Sequence, residues 1–337
     1  MHRFFRYLLW PLSIKYGLMM EVRNYFYDRK FFKIHSYDIP VISIGNITAG
    51  GTGKTPFTIF LADHFLKQGK KVAVVSRGYG RKSKGFQLVS DGKDLVGNPM
   101  IHGDEACLVA KRFPVTIVAV SEKRYIAIEY VIKNFNVDII LMDDGFQHRS
   151  VKRDIDIVLT KEWNNMSSKF VIPAGLLREF RFNIKRADIV INTDSMENNQ
   201  SDFQARFFAE DIFDFQFNKI GKLSDYSEKK AIAFSAIAKP DNFFNTLTDA
   251  KIDVIQKYIF KDHYYFTQDD LDNIISQCQK NGIDNLFCTE KDMVKIHLIN
   301  GFEQKLKSLK IRILSPRLDV KFNDKKSFLE NLHSILD

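Results

Sequence analysis

Short apolar runs alternate with amphipathic segments along the first two thirds of the chain. The segment after the first run has apolar residues near helical spacing and stops at Gly69, so it predicts a helix. Continuous apolar strands that alternate with helices are typical of a parallel sheet covered on both faces. The pattern therefore predicts an α/β fold with a mostly parallel sheet. The predicted strands are 39–47, 71–76, 115–120, 137–142, 154–160 and 187–193.

The pattern changes near residue 201, where aromatic residues begin to alternate with polar ones. Alternation of this kind predicts short extended strands, here linking two lobes. Apolar runs and helical segments resume afterwards, and Thr267 with Asp270 forms a plausible N-cap for a helix from 268. These features predict a second, smaller α/β lobe. The predicted segments are 1–33, 34–200, 201–222 and 223–337.

Composition indicates an ordinary globular protein and says little more about its class. The 337 residues are 45% hydrophobic and 27% charged, which is ordinary for globular proteins. Cys107, Cys278 and Cys288 are widely separated, which argues against a disulfide or zinc framework and for a reducing compartment.

The net charge of +9 is concentrated at the N-terminus, where residues 1–33 hold seven basic and two acidic side chains among many apolar ones. Lys15 and Glu21 interrupt the apolar run, which disfavours a spanning helix, and no small-residue cleavage site follows it. The mixture predicts an amphipathic segment associated with an anionic membrane surface. Whether it spans or lies on the bilayer stays open, as does a helix packed on the protein's own core. No recognition motif for nucleic acid accompanies the charge, so no such partner is expected.

The stretch ITAGGTGKT, residues 47–55, lies between the first predicted strand and the first predicted helix. In that context glycine N–H groups can point inward at phosphate, and the helix adds its positive N-terminus. Lys54 is expected to reach the terminal phosphates and the Thr55 hydroxyl to ligate Mg²⁺. Thr48 stands where such loops usually begin with glycine, and two consecutive glycines follow shortly after it. The predicted nucleotide-binding residues are Thr48, Ala49, Gly50, Gly51, Thr52, Gly53, Lys54 and Thr55.

A second motif, DIILMDDGFQH at 138–148, is an apolar strand that ends in Asp143 and Asp144. An acid at this position holds Mg²⁺ in P-loop proteins, either directly or through water, and the sequence leaves open which of the two does so. Guanine-specific P-loop proteins carry an N/T-K-x-D element. Residues 289–292 contain its letters at the wrong spacing, because Glu290 intervenes. The predicted nucleotide is therefore ATP.

Other charged residues are candidates for the remaining roles of a phosphoryl-transfer site. Asp104, followed by Glu105, precedes a helical stretch and offers a carboxylate that can accept the proton of an acceptor hydroxyl. Arg178 suits anionic oxygens, and its neighbour Glu179 is a possible metal ligand. The arginines on a glycine-containing loop, also suited to phosphate, are Arg77 and Arg81.

Eight stretches, taken in order from about residue 40 to 295, resemble one family, the tetraacyldisaccharide 4′-kinases of Gram-negative bacteria. They are SIGNITAGGTGKTP, SRGYGR, GDEA, DDGFQH, RDIDIV, PAGLLRE, DHYYF and TEKDMVK. Thr48 is shared with the family's own loop, whereas Leu176 departs from its more usual Gly-Pro-Leu, a change we expect to be tolerated. The resemblance implies a P-loop-containing three-layer α/β/α domain, joined by a short two-stranded β linker to a smaller α/β lobe.

The resemblance also implies a reaction and its residues. Members transfer the γ-phosphoryl group of ATP to the 4′-hydroxyl of tetraacyldisaccharide 1-phosphate, forming lipid IVA in lipid A biosynthesis. Asp104 resembles the general base, His263 a residue that orients or tunes it, and Lys54 a catalytic lysine. On its own, a histidine flanked by aromatic residues is more often structural. The implied metal ligands are Thr55, Asp143, Asp144 and Glu179, and the implied substrate-binding residues are Arg77, Arg81, Gln147, His148 and Arg178.

The implied cofactors are ATP and Mg²⁺, and the implied location is the cytoplasmic face of the bacterial inner membrane. The expected partners are the acylated glucosamine disaccharide 1-phosphate and an anionic membrane surface, with no obligate protein partner. Two other classes stay open. One is a P-loop switch or metallochaperone NTPase that acts on a protein partner. The other is a membrane-surface scaffold that binds ATP without catalysis.

Overall fold

The structure, a computed structural model, describes residues 3–94, 97–161, 169–193 and 201–336. Met1, His2 and Asp337 of the predicted terminal segments lie outside the described residues, as does residue 200 at a predicted boundary.

The strands follow one another along the whole chain. In order they are β1 Val41–Gly45, β2 Val72–Ser76, β3 Gln87–Asp91, β4 Ile117–Val120, β5 Ile139–Asp143, β6 Ile155–Thr160, β7 Ile189–Asn192, β8 Phe203–Phe213, β9 Lys219–Lys222, β10 Lys230–Ser235, β11 Asp253–Ile259, β12 Asn285–Phe287 and β13 Arg312–Phe322.

Helices connect many of these strands. In order they are α1 Arg3–Asp28, α2 Lys54–Lys67, α3 Pro99–His102, α4 Asp104–Arg112, α5 Arg124–Asn134, α6 Pro240–Asp249, α7 Gln268–Lys280, α8 Glu290–Ile296, α9 Phe302–Ser308 and α10 Lys325–Leu336, with 3₁₀ helices at Arg181–Arg186 and Leu223–Tyr226.

The chain forms two compact units whose limits differ from the four predicted segments. Unit 1 comprises Met1–Arg77, Ser121–Phe207 and Val320–Asp337, and unit 2 comprises Gly78–Val120 and Phe208–Asp319. Two stretches therefore lie in a different part of the fold from the one their sequence position suggested. As boundaries of independent domains, the four segments stay a prediction.

Unit 1 is built on a parallel sheet in the order β8-β7-β6-β1-β5-β2, which confirms the predicted α/β fold. All five residues of β1 and of β5 are buried, as continuous apolar runs predict. Ile44 pairs with Asp143, so the carboxyl ends of β1 and β5 lie side by side. This register brings the segment after β1 next to the acidic end of β5.

Aromatic packing explains why the C-terminal helix α10 belongs to unit 1. Phe328 stacks on Phe322 at the end of β13, with ring centroids 4.5 Å apart. It also meets Phe57 of α2 edge-on at 5.9 Å. Large aromatic side chains bury extensive apolar area, so this cluster fixes α10 against the helix that follows the phosphate loop.

Unit 2 has a parallel arrangement β11-β10-β12-β13 and two antiparallel pairs. The pair of β8 and β9 supplies the predicted extended strands near 201–222. The pair of β3 and β4 is antiparallel, and β3 was not among the predicted strands. It reads Gln-Leu-Val-Ser-Asp, a sequence too polar to be recognised as a strand from its pattern. The predicted cap of α7 is confirmed, since Thr267 and Asp270 exchange hydrogen bonds of 2.9 and 3.2 Å.

Helix α1 packs with its small and polar residues inward. Ser13, Gly17, Met20 and Asn24 form the buried face. Ser13 Oγ accepts a hydrogen bond of 2.8 Å from the N–H of Ala174, and a side chain at Gly17 would overlap the ring of Phe180. The helix therefore packs on the protein, as one of the alternatives held, through Met20 and small or polar residues, while most of its apolar residues lie outside. The exposed apolar residues of α1 are Leu8, Trp10, Leu12, Ile14, Leu18, Met19, Val22, Tyr25 and Phe26.

None of the helices within the described residues has both the length and the apolar character needed to cross a membrane.

Candidate active site

The phosphate-loop segment lies in unit 1 between the end of β1 and the first residue of α2, as predicted. Gly50 and Gly53 have φ angles of 113° and 88°, values that side-chain-bearing residues rarely adopt. A side chain at Gly53 would also overlap the ring of Phe207. Asn46 donates a hydrogen bond of 3.0 Å to the hydroxyl of Thr52, which fixes the loop from inside. The loop is therefore held in a shape that depends on glycine.

Lys54 is the first residue of α2, and its ammonium group lies beside Asp144. Lys54 Nζ is 3.5 Å from Asp144 Oδ1, and Arg178 donates a hydrogen bond of 2.8 Å to the same oxygen. Burial favours the neutral acid, but the charges of Lys54 and Arg178 outweigh it and lower the pKa of Asp144. The cluster is thus one carboxylate between two cations, placed directly after the phosphate loop.

Asp143, at the end of β5, is buried and accepts three hydrogen bonds. The donors are the hydroxyl of Thr55 at 3.0 Å, the hydroxyl of Thr58 at 3.2 Å and the N–H of Asp144 at 3.0 Å. The contact between Thr55 and Asp143 joins the two parts of a P-loop Mg²⁺ site that the sequence predicted separately.

The donor set in unit 1 fits Mg²⁺ better than a metal held entirely by protein. The described residues contain no group of three histidine, cysteine or acidic side chains that could hold a metal ion. Mg²⁺ commonly takes only one or two protein oxygens and completes its shell with water and phosphate. The hydroxyl of Thr55 and the carboxylates of Asp143 and Asp144 supply oxygens of this kind.

Glu179 was predicted as a metal ligand, and its surroundings differ from those of Asp143 and Asp144. Its side chain is fully buried. It accepts hydrogen bonds from Asn24 at 3.0 Å, Gln147 at 3.0 Å and Arg186 at 2.6 Å. Both oxygens therefore accept hydrogen bonds within the protein, as both oxygens of Asp143 also do, and direct metal ligation by these carboxylates stays a prediction.

Asp104 lies in unit 2 as the first residue of α4, and it contacts His263. The Nδ1 atom of His263 is 3.0 and 3.1 Å from the two carboxylate oxygens. Only 1% of Asp104 is exposed. The contact joins two residues that are 159 positions apart in the chain.

Electrostatics in unit 2 favour the ionised form of the pair. Burial alone would raise the pKa of Asp104, but Lys291 and His263 outweigh it and lower that pKa. Burial lowers the pKa of His263, and the hydrogen bond and charge of Asp104 outweigh it and raise that pKa. Lys291 Nζ is 3.9 Å from Asp104 Oδ2 and donates a hydrogen bond of 3.1 Å to Glu105. The site therefore holds a buried, charged carboxylate beside two positive or protonatable groups.

Comparisons with known proteins identify the family of the chain. A family model described as tetraacyldisaccharide-1-P 4′-kinase matches residues 5–337. The chain belongs to the tetraacyldisaccharide 4′-kinase family.

Individual members of this family are similar to the chain over most of its length. A tetraacyldisaccharide 4′-kinase from Chlorobium luteolum is 34% identical, over 88% of this chain and 89% of that protein. One from Cytophaga hutchinsonii is 36% identical, over 87% and 86% of the two chains. A crystal structure of LpxK from Aquifex aeolicus in complex with ATP superimposes with a TM-score of 0.79 at 30% identity, covering 99% of this chain and all of that one.

Three further residues that the kinase family implies as substrate-binding lie in different surroundings. Arg77 is exposed and is the last residue of the first segment of unit 1, whereas Arg81 lies in unit 2 and donates a hydrogen bond of 2.6 Å to the carbonyl of Gly85. His148 accepts a hydrogen bond of 3.1 Å at Nε2 from the backbone of Arg124. Burial and the neighbouring arginine charges lower the pKa of His148 to about 3, so its ring is neutral at pH 7. Their roles toward substrate stay predictions.

Two residues important to the geometry of this kinase were not singled out from its sequence. Lys291 was noted only within a guanine-type motif at the wrong spacing and within the stretch TEKDMVK, with no role assigned, yet it lies next to Asp104 and Glu105. Asn24 lies in a segment interpreted through its apolar and basic residues, yet it contacts Glu179. The recurrence of polar residues at helical spacing in α1 was the available signal, and no local signal pointed to Lys291.

Proposed function

We propose that the chain transfers the γ-phosphoryl group of ATP to the 4′-hydroxyl of tetraacyldisaccharide 1-phosphate, forming lipid IVA. One observation carries the proposal. A member of the tetraacyldisaccharide 4′-kinase family holds both a glycine-dependent phosphate loop with Lys54 and a buried, ionised Asp104 paired with His263. A switch NTPase needs the first of these features, whereas transfer to a hydroxyl also needs a base.

In unit 1, Lys54 and the loop N–H groups bind the phosphates of ATP, and Arg178 adds positive charge next to Asp144. Charge that builds up on the transferred phosphoryl group is stabilised best by cations and dipoles that are already in place. Thr55, Asp143 and Asp144 would hold Mg²⁺, with Glu179 as a further candidate. When bound, Mg²⁺ neutralises phosphate oxygens and orients them.

In unit 2, Asp104 accepts the proton of the sugar hydroxyl at a carboxylate oxygen. His263 holds that carboxylate by its Nδ1 contact of 3.0 Å, and its charge keeps the carboxylate ionised. Phosphoryl transfer forms the new P–O bond at the 4′-oxygen and breaks the bond to the departing ADP oxygen.

The direct test uses detergent-solubilised protein with Mg·ATP and tetraacyldisaccharide 1-phosphate, and it detects the lipid by mass spectrometry. We expect a lipid product heavier by one phosphoryl group. Hydrolysis of ATP with the lipid unchanged would contradict the proposal and favour a P-loop switch.

We also propose that α1 binds the surface of an anionic membrane, on the cytoplasmic face of the inner membrane where the acylated substrate is presented. The helix exposes Leu12, Leu18, Met19 and other apolar residues, and Lys15 is exposed among them. Apolar side chains that enter the acyl boundary and basic ones that meet anionic head groups together bind such surfaces.

The double substitution Leu12→Glu and Leu18→Glu tests this binding. We expect the fraction bound to anionic vesicles to fall by at least tenfold, because each change places a negative charge where an apolar side chain would enter the lipid. Cosedimentation with vesicles measures the fraction. The control is Ile255→Glu with Ile259→Glu, which alters two exposed isoleucines of β11 and is expected to leave binding unchanged. Equal binding of both double variants would contradict the role of α1.

Lys291→Met tests the electrostatics of Asp104. Lys291 lowers the pKa of Asp104, so its removal raises that pKa. If ionised Asp104 is the base, the acidic limb of the profile of kcat/KM against pH moves to higher pH. Lys291→Arg keeps the charge and is expected to keep the limb near its original position. An acidic limb that stays in place, or moves to lower pH, in Lys291→Met would show that another group controls it.

A further inference from the structure

The inner face of α1 contacts segments that carry residues of the phosphate-binding cluster. Asn24 Nδ2 donates a hydrogen bond of 3.0 Å to Glu179 Oε2, and Arg23 donates one of 2.9 Å to the carbonyl of Gln147. Arg149 in turn donates one of 3.0 Å to the carbonyl of Asn24. These contacts are hydrogen bonds with preferred directions. They therefore fix the position of α1 more narrowly than apolar packing would.

The contact at Asn24 continues through unit 1. Glu179 Oε1 accepts a hydrogen bond of 3.0 Å from the amide of Gln147, and Gln147 Oε1 accepts one of 3.2 Å from Arg178. Arg178 donates to Asp144 at 2.8 Å, and Asp144 lies 3.5 Å from Lys54 Nζ. A continuous series of polar contacts therefore joins α1 to the first residue of α2.

The side-chain amide of Gln147 can take only one orientation in this series of contacts. Its amide nitrogen donates both to Glu179 and, at 2.8 Å, to the carbonyl of Asn46, the residue before the phosphate loop. Its oxygen faces the guanidinium of Arg178. Turning the amide over would place its oxygen against two acceptors and its nitrogen against the Arg178 donor, so Glu179, Asn46 and Arg178 together hold Gln147 in one orientation.

Glu179 depends on its partners because it is fully buried. A buried carboxylate that loses a hydrogen-bond donor is left partly unsatisfied and tends to shift toward other donors. Asn24 itself is 3% exposed, so water does not readily replace its amide. We therefore expect loss of the Asn24 contact to shift the carboxylate of Glu179 and, through it, the amide of Gln147.

We propose that Asn24 is a positioning residue for phosphoryl transfer: it holds Glu179, which through Gln147 places Arg178 on Asp144 beside Lys54. The seating of α1 and the geometry of the phosphate-binding cluster are thereby coupled. This inference rests on the proposed function, because it assigns Lys54 and Arg178 to ATP.

Asn24→Ala tests the proposal against Ser13→Ala as a matched control. Ser13 is buried on the same face of α1 and also docks the helix, through the N–H of Ala174, but it is outside the series of contacts. In mixed micelles we expect Asn24→Ala to lower kcat/KM for Mg·ATP by roughly tenfold, the effect of losing a hydrogen bond to a charged group. KM for the lipid and binding to anionic vesicles should stay within about twofold. Ser13→Ala should leave all three quantities near those of the unaltered protein.

A role only in helix docking predicts a different result. Both variants would then lose vesicle binding or raise the lipid KM to the same degree, and Asn24→Ala would leave kcat/KM for Mg·ATP unchanged. Either outcome would overturn the proposal. Thermal unfolding of each variant identifies any loss of folded protein.

A charge substitution tests the link between Asn24 and Glu179 directly. Asn24→Asp places a second carboxylate next to Glu179, so it should lower kcat/KM for Mg·ATP more than Asn24→Ala does. A loss no larger than that of Asn24→Ala, with both variants folded, would contradict the coupling.

Failure of the proposed function would look different. If the unaltered protein did not phosphorylate the lipid, the kinase assignment itself would fail. If it did so and Asn24→Ala matched it in kcat/KM for Mg·ATP, only the positioning role would fail.

Discussion

Replacing Lys54 by alanine lowers kcat for lipid phosphorylation by about 10²–10³-fold, the cost of removing one preorganised charge-stabilising donor. Lys54 is the first residue of α2 and directly follows a loop held open by Gly50 and Gly53. Its ammonium group would contact the phosphoryl group that is transferred. We expect the variant to stay folded, because Asp144 keeps its hydrogen bond of 2.8 Å from Arg178 when Lys54 is replaced. Initial rates with Mg·ATP and the lipid, together with thermal unfolding, measure both effects.

The matched control is Lys67→Ala, at the other end of the same helix. Lys67 pairs with Asp63 at the surface, 2.6 Å away. We expect Lys67→Ala to leave turnover unchanged. Unchanged turnover in Lys54→Ala would remove the phosphate loop from the mechanism. Equal loss in both variants would indicate damage to α2 instead of loss of a phosphate contact.

Replacing Asp104 by asparagine lowers kcat by about 10²–10⁴-fold, the range associated with loss of general acid–base catalysis. Asparagine has nearly the same size and shape but cannot accept the hydroxyl proton. Binding of ATP is expected to persist, since the loop residues that bind it belong to unit 1 and Asp104 to unit 2. Single-turnover rates and nucleotide binding, measured on the same preparation, separate the two quantities.

Glu105→Gln is the control for Asp104, because it alters the neighbouring carboxylate of the same helix turn. Glu105 is partly exposed and pairs with Lys291, whereas Asp104 is buried and pairs with His263. We expect Glu105→Gln to keep most of the activity. If it lost as much as Asp104→Asn, the assignment of the base to Asp104 would be wrong.

The two substitutions also separate the kinase from the other classes that the sequence left open. A switch NTPase would lose hydrolysis in Lys54→Ala and keep it in Asp104→Asn, with no lipid product from the unaltered protein. A scaffold that only binds ATP would keep its membrane function in Asp104→Asn. Loss of lipid phosphorylation in both variants, with nucleotide binding retained in Asp104→Asn, is expected only of the kinase.

Much of the fold of unit 1 could be predicted from the sequence. Continuous apolar strands such as β1 and β5 are recognisable because both of their faces are buried, which leaves no alternation to confuse the pattern. The strand β3 could not be recognised, because it is partly polar and only partly buried and so lacks the continuous apolar run of β1 and β5. The phosphate loop and the pair Asp143-Asp144 were predictable because each depends on a contiguous motif at the end of a strand.

Distant pairings could not be predicted from local pattern. Residue chemistry alone left His263 ambiguous, and only the resemblance to a kinase family suggested its link to Asp104. The contact is visible in the structure because α4 and the loop before α7 meet within unit 2. Nor did sequence position indicate that residues 78–120 lie in unit 2 and that α10 lies in unit 1, where its aromatic residues join those of α2.

The sequence by itself determined the strand-and-helix order, the glycine-dependent loop ending in Lys54 and Thr55, and the acidic end of β5. Each of these depends on residues that are neighbours in the chain, where backbone conformation and spacing are set locally. The tertiary structure alone decided that Lys291 lies next to Asp104 and that α1 turns its polar face inward. It alone decided that Asn24 is connected through Glu179 to the cations beside Asp144. These depend on contacts between residues far apart in the chain, whose free energy is realised only when the elements pack and water is excluded.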